Sequence, residues 1–308
     1  MRVAVCALTY KRPDGLKRLL DGLNQLTFEQ YPQPEIEVII VDNDSPSEAE
    51  TICADLRPTF RWSLKYVVET QRGISFARNR AIASAASDTD FVAFIDDDEV
   101  PEPNWLEQLL IVQQQYDADI VGGPALPYFA NETVPDWIAK GKFFDTPRYE
   151  TGHLLEVAYT NNVLIRNRIF QTMPQPFDAR FAVTGGEDSH LFMRLYRAGY
   201  KLVWADTAIV HEWIPASRMT LKWLMQRGYR SYSTHGLCEL ELDPAIRVVP
   251  RRVTTGCGRI VLGLLMLPIS VVQPHLFAKS LLQISRGAGM LSGLAGRRYE
   301  EYRTVHSV

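Results

Sequence analysis

Four consecutive acids, Asp96-Asp97-Asp98-Glu99, follow the apolar run Phe91-Val92-Ala93-Phe94-Ile95. Five apolar residues in a row read as a strand buried on both faces. Adjacent carboxylates repel, so such a cluster calls for a cation against it. Mg²⁺ or Mn²⁺ fits, because these hard ions take a few carboxylates together with substrate phosphates. Pro101-Glu102-Pro103-Asn104 beyond the acids is also good helix-start chemistry. An acidic turn capping the next helix therefore explains the run about as well, taken alone.

Other groups carry chemistry in their spacing. Thr9-Tyr10-Lys11-Arg12 and Asp42-Asn43-Asp44-Ser45 also end apolar strands. Arg12 could meet phosphate, and Asp42 could accept hydrogen bonds from a base or ribose, or simply close an Asx turn. Glu69-Thr70-Gln71-Arg72-Gly73, with Arg78-Asn79 after it, places two guanidiniums near a helix start, where phosphate is favoured. Ordinary ion pairing is the plainer reading of both. Gly185-Gly186-Glu187-Asp188 gives a close-approach loop and two acids opening a helix. One acid is the expected cap; a second, aimed into a cleft, could act as general base toward a hydroxyl. His211 follows Ala208-Ile209-Val210, and imidazole suits Mn²⁺ beside carboxylates, although a lone His is more often structural.

The elements that must position these groups alternate. Strands are expected at Arg2–Leu8, Glu37–Val41, Phe91–Ile95, Asp119–Val121, Lys201–Trp204 and Ala208–Val210. Helices are expected at Gly15–Leu26, Ser75–Ala86, Pro103–Tyr116 and Glu187–Ala198. This alternation predicts an α/β fold with a mostly parallel sheet and helices on both faces, whose ligands sit beyond the carboxyl ends of the strands. Pro124 to Glu156 has weak periodicity and reads as a long loop lining a site.

The 308 residues carry a net charge of -3, which gives no global case for nucleic acid. From Arg247 onward nine Lys/Arg face only two acids, so the tail is basic. Ile260–Val272, broken by Pro268, and Leu276–Leu294 are apolar, flanked by Arg251, Arg252, Arg259, Arg297 and Arg298. Such segments are short for a span and suit re-entrant or interfacial helices on an anionic membrane surface, a core helix pair being the alternative. Cys6, Cys53, Cys238 and Cys257 lack metal or close-pair spacing and read as free thiols of a reducing compartment. Met1-Arg2-Val3-Ala4-Val5 enters a strand directly, a form that favours the cytoplasm.

Taken in order, these pieces resemble family 2 glycosyltransferases with the GT-A fold. The resemblance runs through Thr9 and Arg12, Val38-Ile39-Ile40-Val41-Asp42-Asn43, Arg72-Gly73-Ile74-Ser75-Phe76-Ala77-Arg78-Asn79, Phe94-Ile95-Asp96-Asp97-Asp98, Pro101, Trp105-Leu106, Asn161-Asn162, Gly185-Gly186-Glu187-Asp188 and His211. It covers about residues 1–235, leaving 236–308 as a helical, basic and apolar segment. The Thr9-Tyr10-Lys11-Arg12-Pro13 opening and the Arg297-Arg298-Tyr299-Glu300-Glu301-Tyr302 ending are similar to bacterial exopolysaccharide enzymes of the succinoglycan type.

The resemblance implies transfer of a sugar, with inversion, from a nucleotide sugar such as a UDP-hexose to a glycan or lipid-linked oligosaccharide. That work would fall at the cytoplasmic face of an inner membrane. Thr9, Arg12, Asp42, Asn43, Arg72, Arg78, Asp96 and Asp97 would bind the donor, and Asp98, Asp96 and His211 would hold the metal. Asp188 would be the base, Glu187 would help place the acceptor, and Asn161 and Asn162 would lie on the acceptor side. The Gln-x-x-Arg-Trp motif of processive synthases is replaced by Gln226-Arg227-Gly228-Tyr229, which implies transfer of single sugars. Two other classes remain open at this point. A sugar nucleotidyltransferase would need a Gly-rich loop directly after the first strand, where Thr9-Tyr10-Lys11-Arg12-Pro13 stands. A non-catalytic binding protein would need no base at Asp188.

Overall fold

The computed structural model describes residues 1–44, 47–129, 133–270 and 273–296. Its strands are β1 (Arg2–Thr9), β2 (Glu35–Asp42), β3 (Ser63–Val68), β4 (Phe91–Ile95), β5 (Glu99–Pro101), β6 (Ile120–Gly122), β7 (Ala125–Tyr128), β8 (Asn162–Arg166), β9 (Leu202–Trp204) and β10 (Val210–Trp213). Its α-helices are α1 (Pro13–Asn24), α2 (Glu48–Leu56), α3 (Ile74–Ser84), α4 (Trp105–Tyr116), α5 (Asp136–Gly141), α6 (Arg168–Gln171), α7 (Glu187–Arg197), α8 (Leu221–Leu242), α9 (Ala245–Ser270) and α10 (Pro274–Leu294).

The main sheet has the order β3-β2-β1-β4-β8-β6-β9. The first four strands in that order are parallel, β8 runs antiparallel to both its neighbours, and β9 is parallel to β6. Period-two alternation divides the core between the two faces. Val3, Val5, Ala7, Val38 and Ile40 pack with Leu16, Leu20 and Leu109 on one face. Ala4, Cys6, Ile39 and Val41 pack with Ala77, Leu191 and Leu195 on the other. A sheet covered on both sides explains why its strands read as apolar runs.

A second, three-stranded sheet has the order β5-β10-β7. It accounts for part of the stretch expected to be loop: β7 and α5 lie within residues 124–156. β8 and the α2–β3 pair likewise stand outside the elements that periodicity marks. β10 runs from Val210 to Trp213 rather than ending at Val210, so His211 stands within the strand.

Two compact units divide the chain. Met1–Tyr128 with Thr146–Trp213 make the first, and Phe129–Asp145 with Ile214–Glu301 the second. The expected division after residue 235 falls inside the continuous helix α8. In the second unit, α10 packs against α9 and α8. Gly289 and Gly293 sit so close to the backbones of Tyr229 and Ser233 that a Cβ would lie 2.2 and 2.4 Å from their carbonyl oxygens. The helix α9 continues through Pro250 and Pro268 and ends at Ser270. No described helix is long and apolar enough to cross a membrane. Arg297 and Arg298, and the ending from Tyr299 to Tyr302, lie outside the described residues. Cys6, Cys53 and Cys238 are buried free thiols, whereas Cys257 is exposed.

Candidate active site

The carboxyl ends of β1, β2 and β4 meet at one rim of the first unit. After β1 the chain turns through Lys11, whose φ of 56° is a left-handed value unusual for a side-chain-bearing residue. The turn aims Arg12 at the acids: Nη1 lies 2.9 Å from Asp97 Oδ1 and 3.2 Å from Asp98 Oδ2. Thr9 Oγ1 donates to the other Asp97 oxygen at 2.9 Å. Asp97 is buried, and its carboxylate is held by Thr9 of β1 and by Arg12 just ahead of α1. Helix α1 is brought against this turn by Gly15, where a Cβ would lie 2.6 Å from the Asp97 carbonyl oxygen.

Arg78 on α3 joins two other pieces of the rim. Its guanidinium pairs with the Glu187 carboxylate at the start of α7 and lies 3.6 Å from Asp96 Oδ1. Glu187 is 2% exposed, and this ion pair holds its carboxylate inside the unit. Gly185 and Gly186 take φ values of 73° and 91° to make the turn into α7. That turn leaves the half-buried Asp188 near enough to Asp96 for its charge to act there. Burial, then the charges of Asp98, Asp97 and Asp188, push the Asp96 carboxyl up to about 7 against the lowering by Arg78. This holds even though 40% of the Asp96 side chain remains open to solvent.

Two acids missed as site residues complete the cluster. Glu99 is 1% exposed, accepts from Asn161 Nδ2 at 3.0 Å and from the Asp96 backbone N–H at 3.2 Å. Burial, with the charges of Asp96, Asp98 and Glu212, holds its carboxyl well above the usual range. Glu212 belongs to this group because it pairs with Glu99 across the antiparallel β10–β5 ladder, so both side chains share one face. His211 pairs with Val100 on the opposite face, and its Nε2 lies 3.2 Å from Glu102 Oε1. The pleat therefore puts His211 on the face opposite Glu99 and Glu212. The four-acid run could have disclosed Glu99. Glu212 could be found only by knowing the register.

Asn162 is 2% exposed, accepts from Trp105 Nε1 at 2.8 Å, and donates to the Pro124 and Ala208 carbonyls at 3.0 and 2.7 Å. Its amide is engaged in bracing β8. Asn161 braces Glu99 instead. Asp42 is fully buried and accepts from Asp44 N–H at 2.8 Å, Tyr66 Oη at 2.8 Å and Ser47 Oγ, bonds that brace the end of β2. Asn43 donates to the Glu69 and Gln71 carbonyls and accepts from Gly73 N–H, tying down the loop before α3. On that loop Arg72 is exposed, its guanidinium carbon 5.5 Å from the Tyr10 ring centroid.

Next to this rim a cavity of about 300 Å³ is lined by Thr9, Lys11, Arg12, Asp44, Ser47 and Glu48. That volume is in the range of a small-molecule cleft. A cavity of about 450 Å³ at the opposite edge, lined by Arg2, Glu35, Arg61 and Trp62 among others, lies away from the acids. Carboxylates in the cluster outnumber the guanidiniums of Arg12 and Arg78, and carboxylate oxygens are the donors that a hard divalent cation takes. Burial first, and then the neighbouring carboxylate charges, raise Asp96 and Glu99.

Comparison with known proteins gives the family and the fold. The family model described as Glycosyl transferase family 2 matches residues 4–173. That described as Glycosyl transferase family group 2 matches residues 91–284. Succinoglycan biosynthesis protein ExoM of Rhizobium meliloti (strain 1021) is 31% identical over 305 residues, spanning 97% of this chain and 94% of that protein. Among solved structures, mannosyltransferase PcManGT from Pyrobaculum calidifontis, in complex with GDP-Man and Mn²⁺, superposes with a TM-score of 0.58. It has 18% identity, covering 98% of this chain and 77% of that one. S. aureus TarS 1-349 in complex with UDP gives a TM-score of 0.55 at 16% identity, covering 97% and 93%. At those identities the structural likeness concerns the fold.

Proposed function

The chain belongs to glycosyl transferase family 2 and is a glycosyltransferase of GT-A fold, and from that premise we propose its reaction. It transfers one hexose from a UDP-sugar, with inversion and with Mn²⁺ or Mg²⁺ bound, to a lipid-linked glycan acceptor in polysaccharide assembly. The observation that carries this reading is the placement of Asp188 at the start of α7, beside Asp96 of the acidic cluster.

Asp98, Asp96 and, from the facing strand, Glu212 would hold the cation. When bound, the cation would neutralise charge on the leaving nucleoside diphosphate. Arg72, exposed on the loop before α3, is the guanidinium we assign to the donor phosphates, and the cavity lined by Thr9 and Arg12 is assigned to the nucleoside. Asp188 accepts the proton of the acceptor hydroxyl as that oxygen forms a bond to the anomeric carbon. The bond from that carbon to the nucleoside diphosphate oxygen breaks on the opposite face. Arg78, paired with Glu187, keeps the α7 start in register with Asp96 while this happens. Support for the donor class comes from relatives of the same fold named with UDP or with GDP-Man and Mn²⁺. Support for polysaccharide assembly comes from the succinoglycan relative.

We place the enzyme at an anionic membrane surface on the cytoplasmic side, with α9 in contact with lipid. Along α9 the apolar Ile246, Val261, Leu262, Leu264 and Leu265 are exposed, and residues 244–299 contain no Asp or Glu. Apolar exposure beside an excess of positive charge is the pattern of an interfacial helix. UDP release from UDP-hexoses, measured with Mn²⁺ and with chelator, tests the reaction. Turnover that persists without divalent cation would remove the metal from it, and no turnover of any nucleotide sugar would remove the reaction itself.

A further inference from the structure

Within the second unit two arginines from two helices converge on one ring, and the charge of a third reaches one of them. The guanidinium carbons of Arg259 on α9 and Arg286 on α10 lie 5.1 and 5.5 Å from the centroid of Tyr232 on α8. Arg227, one turn earlier on α8, is stacked 5.1 Å over Trp223, and its charge reaches Arg286. Arg259 Nη1 donates to Gln283 Oε1 at 2.7 Å. The Nε atoms of Arg259 and Arg286 are both buried without an acceptor among the described residues. Burial first, then repulsion from Arg259 and Arg227, lowers the pKa of Arg286.

The contrast with the same helix is informative. Arg251 and Arg252, two turns earlier on α9, both reach Glu239 Oε2, at 2.6 and 2.8 Å. Among the described residues the bundle thus supplies a carboxylate to one pair of arginines and none to the group around Tyr232. Gathering like charges in a half-buried site is unfavourable unless an anion neutralises them. Guanidiniums stacked on an aromatic face keep their N–H edges free for phosphate oxygens.

We infer that Arg227, Arg259 and Arg286 form a binding site for the phosphate or diphosphate of an anionic lipid headgroup. A lipid source is favoured over a soluble one by the residues on the C-terminal side of Arg259. Val261, Leu262, Leu264 and Leu265 stand 48–68% exposed within the next six residues of α9. Leu265 is about 9 Å along the helix axis from Arg259. One helix therefore offers a phosphate contact and then apolar surface, in the order that a headgroup and its chains require. This deepens, and rests on, the proposal that the chain works at an anionic membrane.

The test uses the full chain and co-flotation with phosphatidylcholine vesicles with and without phosphatidic acid. Arg259→Gln/Arg286→Gln is compared with Arg247→Gln/Lys279→Gln, which removes the same charge elsewhere on the hairpin. The cluster variant should lose affinity for the phosphatidic acid vesicles by about tenfold or more, since charge-assisted bonds are lost. The charge-matched variant should lose less than about threefold. Inorganic pyrophosphate should raise the melting temperature of the wild type and not of the cluster variant. Because repulsion is relieved, the cluster variant should melt no lower than the wild type; should it misfold, Arg286→Met keeps the apolar stem and replaces it.

Equal losses in both double variants, with no pyrophosphate effect, would overturn the site in favour of diffuse electrostatics. A pyrophosphate effect without any difference on vesicles would keep a phosphate site and overturn its lipid source. UDP release toward a water-soluble acceptor reads glycosyl transfer separately, so failure of the transfer reading would not be confused with failure of this one.

Discussion

Arg78 and Glu187 form an ion pair sealed inside the first unit, with side chains 4% and 2% exposed. The same guanidinium reaches Asp96, so one side chain sets both the acidic cluster and the turn that carries Asp188. Removing one partner strands a buried charge. Glu187→Gln should lower stability by about 3–5 kcal/mol. Chemical denaturation measures it, and an unchanged midpoint would show that Asp96 alone satisfies Arg78.

Asp188→Asn should leave the fold and nucleotide-sugar binding intact but reduce transfer by about two to four orders of magnitude, the range of general-base catalysis. Single-turnover transfer measured on the purified variant is the check. Near-normal rates would remove Asp188 from the base role.

Asp98→Ala and His211→Ala should separate. Asp98 faces the acid cluster, and its loss should lower Mn²⁺-dependent affinity for UDP by about tenfold or more. His211 is turned toward Glu102, and its loss should change that affinity by less than about twofold. Glu212→Gln, on the inward face of the same strand, should resemble Asp98→Ala more than its neighbour. Calorimetry with UDP and Mn²⁺ decides, and a large His211 effect would contradict the register.

Glu239 links the second unit to acid. Burial opposes its charge, but hydrogen bonds from His235 and Arg252 outweigh this and hold its carboxyl below the ordinary value of 4.5. A depressed acid stabilises the fold fully above its unfolded value and loses that contribution as pH falls below it. Thermal stability should therefore decline with acidification below about pH 4.5, and Glu239→Gln should flatten that decline while lowering stability at neutral pH. An identical acid profile in the variant would remove Glu239 from the effect.

Gly15→Ala should destabilise the rim although alanine is the better helix former. Its Cβ would lie 2.6 Å from the Asp97 carbonyl oxygen, so α1 or the acidic turn must move. Reduced Mn²⁺-dependent UDP affinity with a normal circular dichroism spectrum is the expected signature. Affinity equal to wild type would show that the turn accommodates the methyl.

The sequence alone determined the strands β1, β2 and β4, because burial on both faces leaves an unbroken apolar run that needs no partner to recognise. Since ligands gather at the carboxyl ends of such strands, it also pointed to the rim and to Asp96, Asp98 and Asp188. Direction within a pair of strands has no such local mark. Whether His211 or Glu212 faces the acids depends on where β10 starts and which residue of β5 lies opposite, and one residue of register exchanges the two faces. Asp42, Asn43, Asn161 and Asn162 are polar residues at strand ends, as ligand contacts would be. Only the packed structure shows their hydrogen bonds engaged by neighbours such as Tyr66, Gly73, Glu99 and Trp105. Arg227, Arg259 and Arg286 stand on three different helices, far apart in sequence. Their convergence is a property of helix packing, set where Gly289 and Gly293 let α10 close on α8.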